Sequence, residues 1–350
     1  MKAAVFREYD KDPTKVIKIE DIDVPKIKPN EVLIKVEASA YNYNDLWAIW
    51  GEPVKTPLPH ISGSDVAGTV VEAGDDVTKF KVGDRVVSHS NLSCRVCEQC
   101  TSGREYDCKD RLVWGFQTGP LWGGFAQYTH LPEVNVAKLP DNVSFDDASA
   151  ISMVGMTAWH MLVGRAKIKP GQTVLIMGGT SGVGMVGIQI AKLYNCNVIA
   201  TAGNQEKMDM CLKLGADNVV NHREPDWYKK VRSMTKVEGG VDVVFEHVGK
   251  NVFPQEVALL KFGGTLVATG ATTGYDSTID LRYLFFKGTN LLGSTQGTKA
   301  ELEQVIHWTS KGKLKPLIYT TLPFSSMVDG HVMMAGAEQI GKIMTSPQKL

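Results

Sequence analysis

At 350 residues, 43% hydrophobic and 22% charged, the chain has the composition of a soluble globular protein long enough for two domains, so disorder is not expected. Lys plus Arg and Asp plus Glu both number 38, which removes any global pull toward nucleic acid or an anionic membrane and leaves anionic ligands to a local site. The opening "MKAAVFREYDKDPTK" carries charges where a signal peptide needs an apolar core, and no clean 18-residue apolar run follows, so a cytoplasmic protein with no membrane partner is expected.

Up to about residue 150, short alternating runs such as "VLIKVEA" and "GDRVVSHS" are broken by Gly, Pro, Asn and Asp, the texture of an all-β barrel or sandwich. Within this half "SAYNYNDLWAIWGEP" (Ser39 to Pro53) leaves a strand for polar and aromatic residues that are common turn formers. From about 151, short β-branched strands ("QTVLIMG", "CNVIAT", "ADNVVN", "VDVVFE", "GTLVATG") alternate with helix-length stretches ("GMVGIQIAKLY", "NQEKMDMCLKL"), which predicts an α/β, parallel, doubly wound sheet. After "LLGST" come a helix, "KAELEQVIHWTSKG", then "LIYTTLPF" and "GKIMTS", assigned back to the first domain. The expected domains are thus 1–150 with 297–350, and 151–296.

Four of six cysteines crowd together as Cys94-x2-Cys97-x2-Cys100-x7-Cys108, in a lobe at 90–110. In a reducing compartment four thiolates at loop spacing predict a closed tetrahedral zinc site, structural because a catalytic zinc needs an open position. A redox role is the alternative.

"VLIMGGTSGVGMVGIQIAK" sets Gly179, Gly182 and Gly184 between a buried strand and an amphipathic helix, where glycine lets the backbone approach a pyrophosphate at a helix N-terminus. Ser181 stands where G-x-G-x-x-G has its second Gly, and Thr157, Val183, His222 and Gly270 complete the expected cofactor contacts. An NAD site would place an acid about 20 residues on. Here "VIATAGNQEK" has Ala202, followed by small Gly203, polar Asn204 and cationic Lys207, which favours NADPH; a solvated helix lysine is the alternative for Lys207.

Together these features resemble the medium-chain dehydrogenase/reductase superfamily over nearly the full length, implying a GroES-like β-barrel catalytic domain, a Rossmann domain and a four-Cys zinc lobe. In the zinc alcohol dehydrogenases of that family, a catalytic metal is held by a Cys, a His and a Cys at positions that fall on Asn42, Ser64 and Met153. Amide, hydroxyl and thioether do not make such a site. The strings "NYNDLW", "GSDVAG", "VWGFQTG", "VFEHVG" and "DLRYLFF" are similar to the crotonyl-CoA carboxylase/reductase branch, which implies NADPH-dependent reduction of an enoyl-CoA. The branch's CO2 pocket matches in the Asn of N-Y-N and in Phe116, and departs at Gln117 and Thr295, where the branch has Glu and His. Protonation of the enolate is expected in place of carboxylation.

The resemblance therefore places Asn42, Tyr43, Asn44, Asp45, Phe116, Gln117 and Thr295 at the catalytic site, and Tyr275, Arg282 and Tyr283 against the adenine and phosphates of a short-chain acryloyl- or crotonyl-CoA. Ordinary turn and connection roles are the alternatives for these residues. Trp47 and Trp50 are expected to be pocket wall or core, and His130, His160 and His247 structural. A quinone or enone reductase and a non-catalytic NADPH-binding protein are the rival functions. A homodimer or homotetramer is expected, with no nucleic-acid partner.

Overall fold

The computed structural model describes residues 1–337 and 339–349. The chain divides into two compact units, Met1–Met153 with Thr298–Leu350, and Val154–Gly297.

The first unit is organised by the strand Glu31–Ala40, whose sequence EVLIKVEASA buries nearly every residue. One edge pairs antiparallel with Asp65–Ala73. The other is shared between Tyr128–Pro132, opposite residues 31–35, and Lys342–Ser346, opposite Ser39 and Ala40. This hub sits in a seven-stranded sheet. Val32, Ile34, Val36, Val66, Val70, Val86, Leu131 and Trp114 form one apolar cluster, as alternation on a half-buried sheet requires.

Ser39–Pro53 differs from its turn-like appearance, because Tyr43–Trp50 is an α-helix that starts from Asn42 and ends at Gly51, which takes φ 66°. Leu46, Ala48 and Ile49 are buried in a second cluster with Phe6, Tyr41, Phe125, Phe324 and Met327, so tertiary burial outweighs the weak helix propensity of Tyr, Asn and Asp. Trp47 and Trp50 pack edge-on against Tyr43 at the margin of this cluster.

The second unit is a six-stranded sheet with every pairing parallel. Its order runs Asn218–Asn221, Asn197–Ala202, Thr173–Ile176, Val241–Glu246, Leu260–Ala268, Asn290–Gly293. This is the doubly wound arrangement expected from the β-α alternation. Val174, Leu175 and Ile176 are fully buried, as strands covered on both faces must be. The strand order reverses between Thr173–Ile176 and Val241–Glu246, so ligand chemistry is favoured at the carboxyl ends of those two strands. Among the described residues no helix is long and apolar enough to cross a membrane.

The helix Met327–Gly336 meets Tyr41 at a glycine. A methyl group on Gly330 would lie 2.4 Å from Tyr41 Cζ, while the Tyr41 hydroxyl is held by the Met327 carbonyl at 2.6 Å. Gly330→Ala is expected to destabilise the protein by about 1–2 kcal/mol, overpacking outweighing the gain of about 1 kcal/mol in helix propensity, as read by urea denaturation.

Candidate active site

In the second unit the segment after Thr173–Ile176 turns through Gly178 (φ 55°) into the helix Gly182–Leu193. Ser181 is its N-cap, its side chain accepting from the Gly184 N–H at 2.9 Å. A methyl group on Gly184 would fall 2.2 Å from the Gly178 carbonyl, and one on Gly179 would strike Cys211 Sγ at 2.7 Å, so only glycines allow this tight passage. Val183 lies in the helix's first turn. His247, expected to be structural, reaches the same turn: its Nε2 lies 2.8 Å from the Met177 carbonyl and 3.2 Å from Ser181 Oγ. A methyl group on Gly270 (φ 76°) would lie 3.8 Å from the His247 carbonyl, and Thr157 is buried within the helix Phe145–Trp159.

At the end of Asn197–Ala202 the side chain of Asn204 caps the next helix, accepting from the Lys207 N–H at 2.9 Å. Arg223 has no motif around it that would announce a site residue. Its guanidinium lies across Gly203, so close that a Cβ there would meet Nε at 3.0 Å and His222 Nε2 at 3.4 Å. The His222 pKa is lowered first by burial and then by the charges of Arg223 and Lys207. His222 Nδ1 lies 3.3 Å from Thr201 Oγ1. Glycine turn, helix N-terminus and cationic group have the shape and charge that suit a phosphorylated dinucleotide.

The first unit holds a buried polar network. Lys342 Nζ donates to the Tyr41 carbonyl at 2.6 Å, Asn42 Oδ1 at 2.7 Å and Asp65 Oδ2 at 3.1 Å. Asp65 also accepts from Asn42 Nδ2 at 2.8 Å, Ser152 Oγ at 2.5 Å and the Met153 N–H at 2.8 Å. Both charged side chains are almost fully buried, and each is satisfied by hydrogen bonds on every side. Removing one partner of such a pair costs about 3–5 kcal/mol, because the other charge is left buried alone.

Asp45, fully buried, accepts the Asn42 N–H at 2.7 Å and the Gly63 N–H at 3.0 Å, tying the start of the helix Tyr43–Trp50 to the segment before Asp65. Asn44 donates to Ser64 Oγ at 3.2 Å and keeps a buried Oδ1 without a partner. Phe116 is buried with its ring 6.3 Å from that of Trp47. Gln117 is occupied locally, its Oε1 accepting from the Val113 N–H at 2.9 Å. Thr295, in the second unit, is half-buried two residues past the strand Asn290–Gly293.

Of the three expected thioester-binding residues, Tyr275 is fully in solvent, Arg282 is paired with Asp280 at 2.6 Å, and Tyr283 leans on the apolar core beneath Lys287. His130 is paired with Glu31 at 2.9 Å, and His160 is buried at the start of a π-helical turn, His160–Arg165.

The sulfurs of Cys94, Cys97, Cys100 and Cys108 lie within 4.8 Å of one another. Cys94 is 3.9 Å from Cys100 and 3.6 Å from Cys108. Bonds of about 2.3 Å to a tetrahedral zinc require sulfurs about 3.8 Å apart, so the donor set fits that ion. Backbone N–H groups, Val96 first and then Cys97, lower the Cys94 thiol to about 6, while at Cys97 the Cys100 N–H is outweighed by burial and the neighbouring sulfurs, which push that thiol up to about 11, so the fit to a metal rests on the sulfur geometry. Asn42, Ser64 and Met153 do not form a comparable donor set: the Asn42 Oδ1 already accepts from Lys342 Nζ at 2.7 Å, the Ser64 hydroxyl accepts from Asn44, and amide, hydroxyl and thioether are not the thiolates and imidazole of such a site.

Residues 28–141 match the alcohol dehydrogenase GroES-like domain and residues 182–311 the zinc-binding dehydrogenase family. A crotonyl-CoA carboxylase/reductase of Cereibacter sphaeroides is 31% identical over 95% of this chain and 83% of its own. An acryloyl-coenzyme A reductase of Sulfurisphaera tokodaii is 28% identical over 96% of this chain and 98% of its own. The solved structure of an NAD-dependent alcohol dehydrogenase superposes with a TM-score of 0.93 at 37% identity, covering 99% of both chains. The chain belongs to the medium-chain dehydrogenase/reductase superfamily of nicotinamide-dependent oxidoreductases, with a GroES-like domain and a Rossmann domain.

Burial pushes the Asp45 carboxyl up to about 7, outweighing the Asn42 and Gly63 N–H groups that favour its charged form. Since the unfolded value is near 4, the folded chain binds this proton more tightly. The cost of ionising Asp45 therefore grows as pH rises from about 4 to about 7 and is constant above. Asp45→Asn carries no such cost. The stability of the variant relative to the wild type should rise by about 2–3 kcal/mol between about pH 5 and about pH 8 in urea denaturation, and a pH-independent difference would contradict the shift.

Proposed function

We propose that the protein is an NADPH-dependent reductase of the C=C bond of a short-chain enoyl-CoA, such as acryloyl- or crotonyl-CoA, working without a catalytic zinc. The observation that carries this is the Asn42–Asp65–Lys342 network: the positions that hold the metal in the family's zinc alcohol dehydrogenases are given over to an amide, a hydroxyl and a thioether, with a buried ammonium beside them. Alcohol oxidation in that branch depends on a Lewis acid, which this donor set does not suit. Reduction of an activated alkene needs none. The named activities of the Cereibacter and Sulfurisphaera relatives support the same substrate class.

NADPH, when bound, supplies the hydride for Cβ of the thioester. The chain's own residues bind and orient. The helix N-terminus at Ser181 and Gly182 receives the pyrophosphate, with Gly179 and Gly184 admitting the close approach. Arg223 and Lys207, beside Gly203 and His222, receive the 2′-phosphate where an NAD enzyme would carry an acid. Asn42 and Asn44 offer amide groups to the thioester oxygen as it becomes an enolate, with Tyr43 and Phe116 as walls. Gln117, tied to the Val113 N–H, and Thr295 replace the Glu and His of the carboxylating branch, so the α-carbon takes a proton. Tyr275 and Arg282, exposed, remain the groups for the CoA adenine and phosphate, with Tyr283 beside them. The Cys94, Cys97, Cys100 and Cys108 lobe holds a structural zinc. A homodimer or homotetramer in the cytoplasm completes the proposal.

The deciding experiment is turnover of NADPH and NADH with acryloyl-CoA, crotonyl-CoA, simple quinones and aldehydes. Fast oxidation of NADPH by an enoyl-CoA alone supports the proposal, and activity confined to quinones or aldehydes refutes it. Mass spectrometry of the product formed in labelled bicarbonate should show mostly protonated acyl-CoA; a mainly carboxylated product would overturn the assignment of Gln117 and Thr295. Arg223→Ala and Lys207→Ala should each raise KM for NADPH about ten- to hundredfold, the worth of a charged hydrogen bond of about 1.5–3 kcal/mol, and leave KM for NADH nearly unchanged. Metal analysis should find about one zinc per chain, lost in Cys94→Ser together with thermal stability.

A further inference from the structure

We propose that Lys342 is a positioning residue that, with Asp65, locks the amide of Asn42 in the one orientation that turns an N–H toward substrate oxygen. This rests on Asn42 belonging to the enoyl-CoA site.

An asparagine amide has two nearly isosteric ends, an acceptor and a double donor, and in isolation either end can face a ligand. Here the surroundings choose. Lys342 has only donors and lies 2.7 Å from one end, which must therefore be Oδ1. The ionised carboxylate of Asp65 has only acceptors and lies 2.8 Å from the other end, which must be Nδ2. Turning the amide over would press two donors together and two acceptors together inside a buried network, so both contacts act against the wrong orientation.

The pair is itself over-determined. Lys342 is also held by the Tyr41 carbonyl, and Asp65 by Ser152 Oγ and the Met153 N–H, so neither charge can follow the amide if it rotates. One of the two Nδ2 protons goes to Asp65. Among the described residues the second has no acceptor, and Asn42 remains 8% exposed. What the latch leaves for a ligand is a donor, matched to an oxygen that gains negative charge, as a thioester carbonyl does on hydride addition. Lys342 itself is too enclosed to touch substrate, at 3% side-chain exposure.

The test is a double-mutant cycle of Lys342→Met and Asn42→Ala on the full-length enzyme, with steady-state kinetics using NADPH and crotonyl-CoA. Lys342→Met should lower kcat about ten- to hundredfold, below the full loss of an oxyanion donor, with KM for NADPH little changed. In the Asn42→Ala background the same change should cost less than about twofold. Multiplying effects would mean that Lys342 acts on the fold at large and would overturn the proposal. Because Lys342→Met leaves Asp65 buried alone, the neutral pair Lys342→Met with Asp65→Asn is run beside it, with thermal unfolding to confirm folding. A readout independent of turnover is the side-chain amide 1H–15N signal of Asn42, assigned by its disappearance in Asn42→Ala. It should shift or broaden in both Lys342 variants, and an unchanged signal refutes the latch. If the wild type reduces only quinones or aldehydes, the enoyl-CoA assignment fails by itself and the amide signal still decides the role of Lys342.

Discussion

The contact on which the first unit depends is the buried ion pair of Asp65 and Lys342, 3.1 Å apart and separated by 277 residues of chain. Two charges taken from water into a sheet interior are costly unless every lone pair and every proton finds a partner. That condition is met here by the Tyr41 carbonyl, the Asn42 amide, the Ser152 hydroxyl and the Met153 N–H. The pair thereby fastens four stretches of chain: the end of the hub strand, the start of Asp65–Ala73, the helix around Ser152, and the closing strand Lys342–Ser346. A register slip in the closing strand would move Lys342 to the other face and leave Asp65 alone. The network thus supports both strand register and the geometry of Asn42.

The second unit solves a different problem by different means. An anionic dinucleotide has to be met by positive potential without a fixed metal, and the parallel sheet provides a helix N-terminus where its strand order reverses. Beyond it, the cations of Lys207 and Arg223 follow neighbouring strands near His222, whose proton affinity is lowered by burial first and by these charges second. The end of Val241–Glu246 and the helix Phe253–Leu259 carry a buried pair of acids. Glu246 accepts the Gly249 N–H, and burial together with the Glu246 charge raises Glu256 well above the usual carboxyl range. A Glu256 that holds its proton keeps two like charges from sitting side by side in the core.

The similarity of this backbone to an NAD-dependent alcohol dehydrogenase, at a TM-score of 0.93, shows how little the fold alone says about the reaction. In this chain the positions next to the hub strand, before Asp65 and in the helix Phe145–Trp159 carry an amide, a hydroxyl and a thioether, at Asn42, Ser64 and Met153. The four-Cys lobe and the apolar clusters around Trp114 and Tyr41 use none of those three side chains as their support, whereas the Asn42 amide is itself part of the Asp65–Lys342 network.

The amino-acid sequence by itself determined the features that depend on short-range pattern. The β-α alternation after residue 150, the glycine turn with Ser181 as cap, and the thiol spacing from Cys94 to Cys108 each involve residues near one another in the chain, where strand and turn chemistry act directly. Tertiary structure decided the rest. Helix Tyr43–Trp50 forms because Leu46 and Ile49 find an apolar cluster that includes Phe324 and Met327, far along the chain. Arg223 and His247 meet Gly203 and the glycine turn only because the parallel sheet sets the carboxyl ends of its strands on one side. Lys342, in a closing "GKIMTS" with no motif around it, acquires its role from Tyr41, Asn42 and Asp65, about 300 residues away. Local propensity cannot encode such partners, because an ammonium or an amide takes its meaning from whichever groups the fold brings within hydrogen-bond distance.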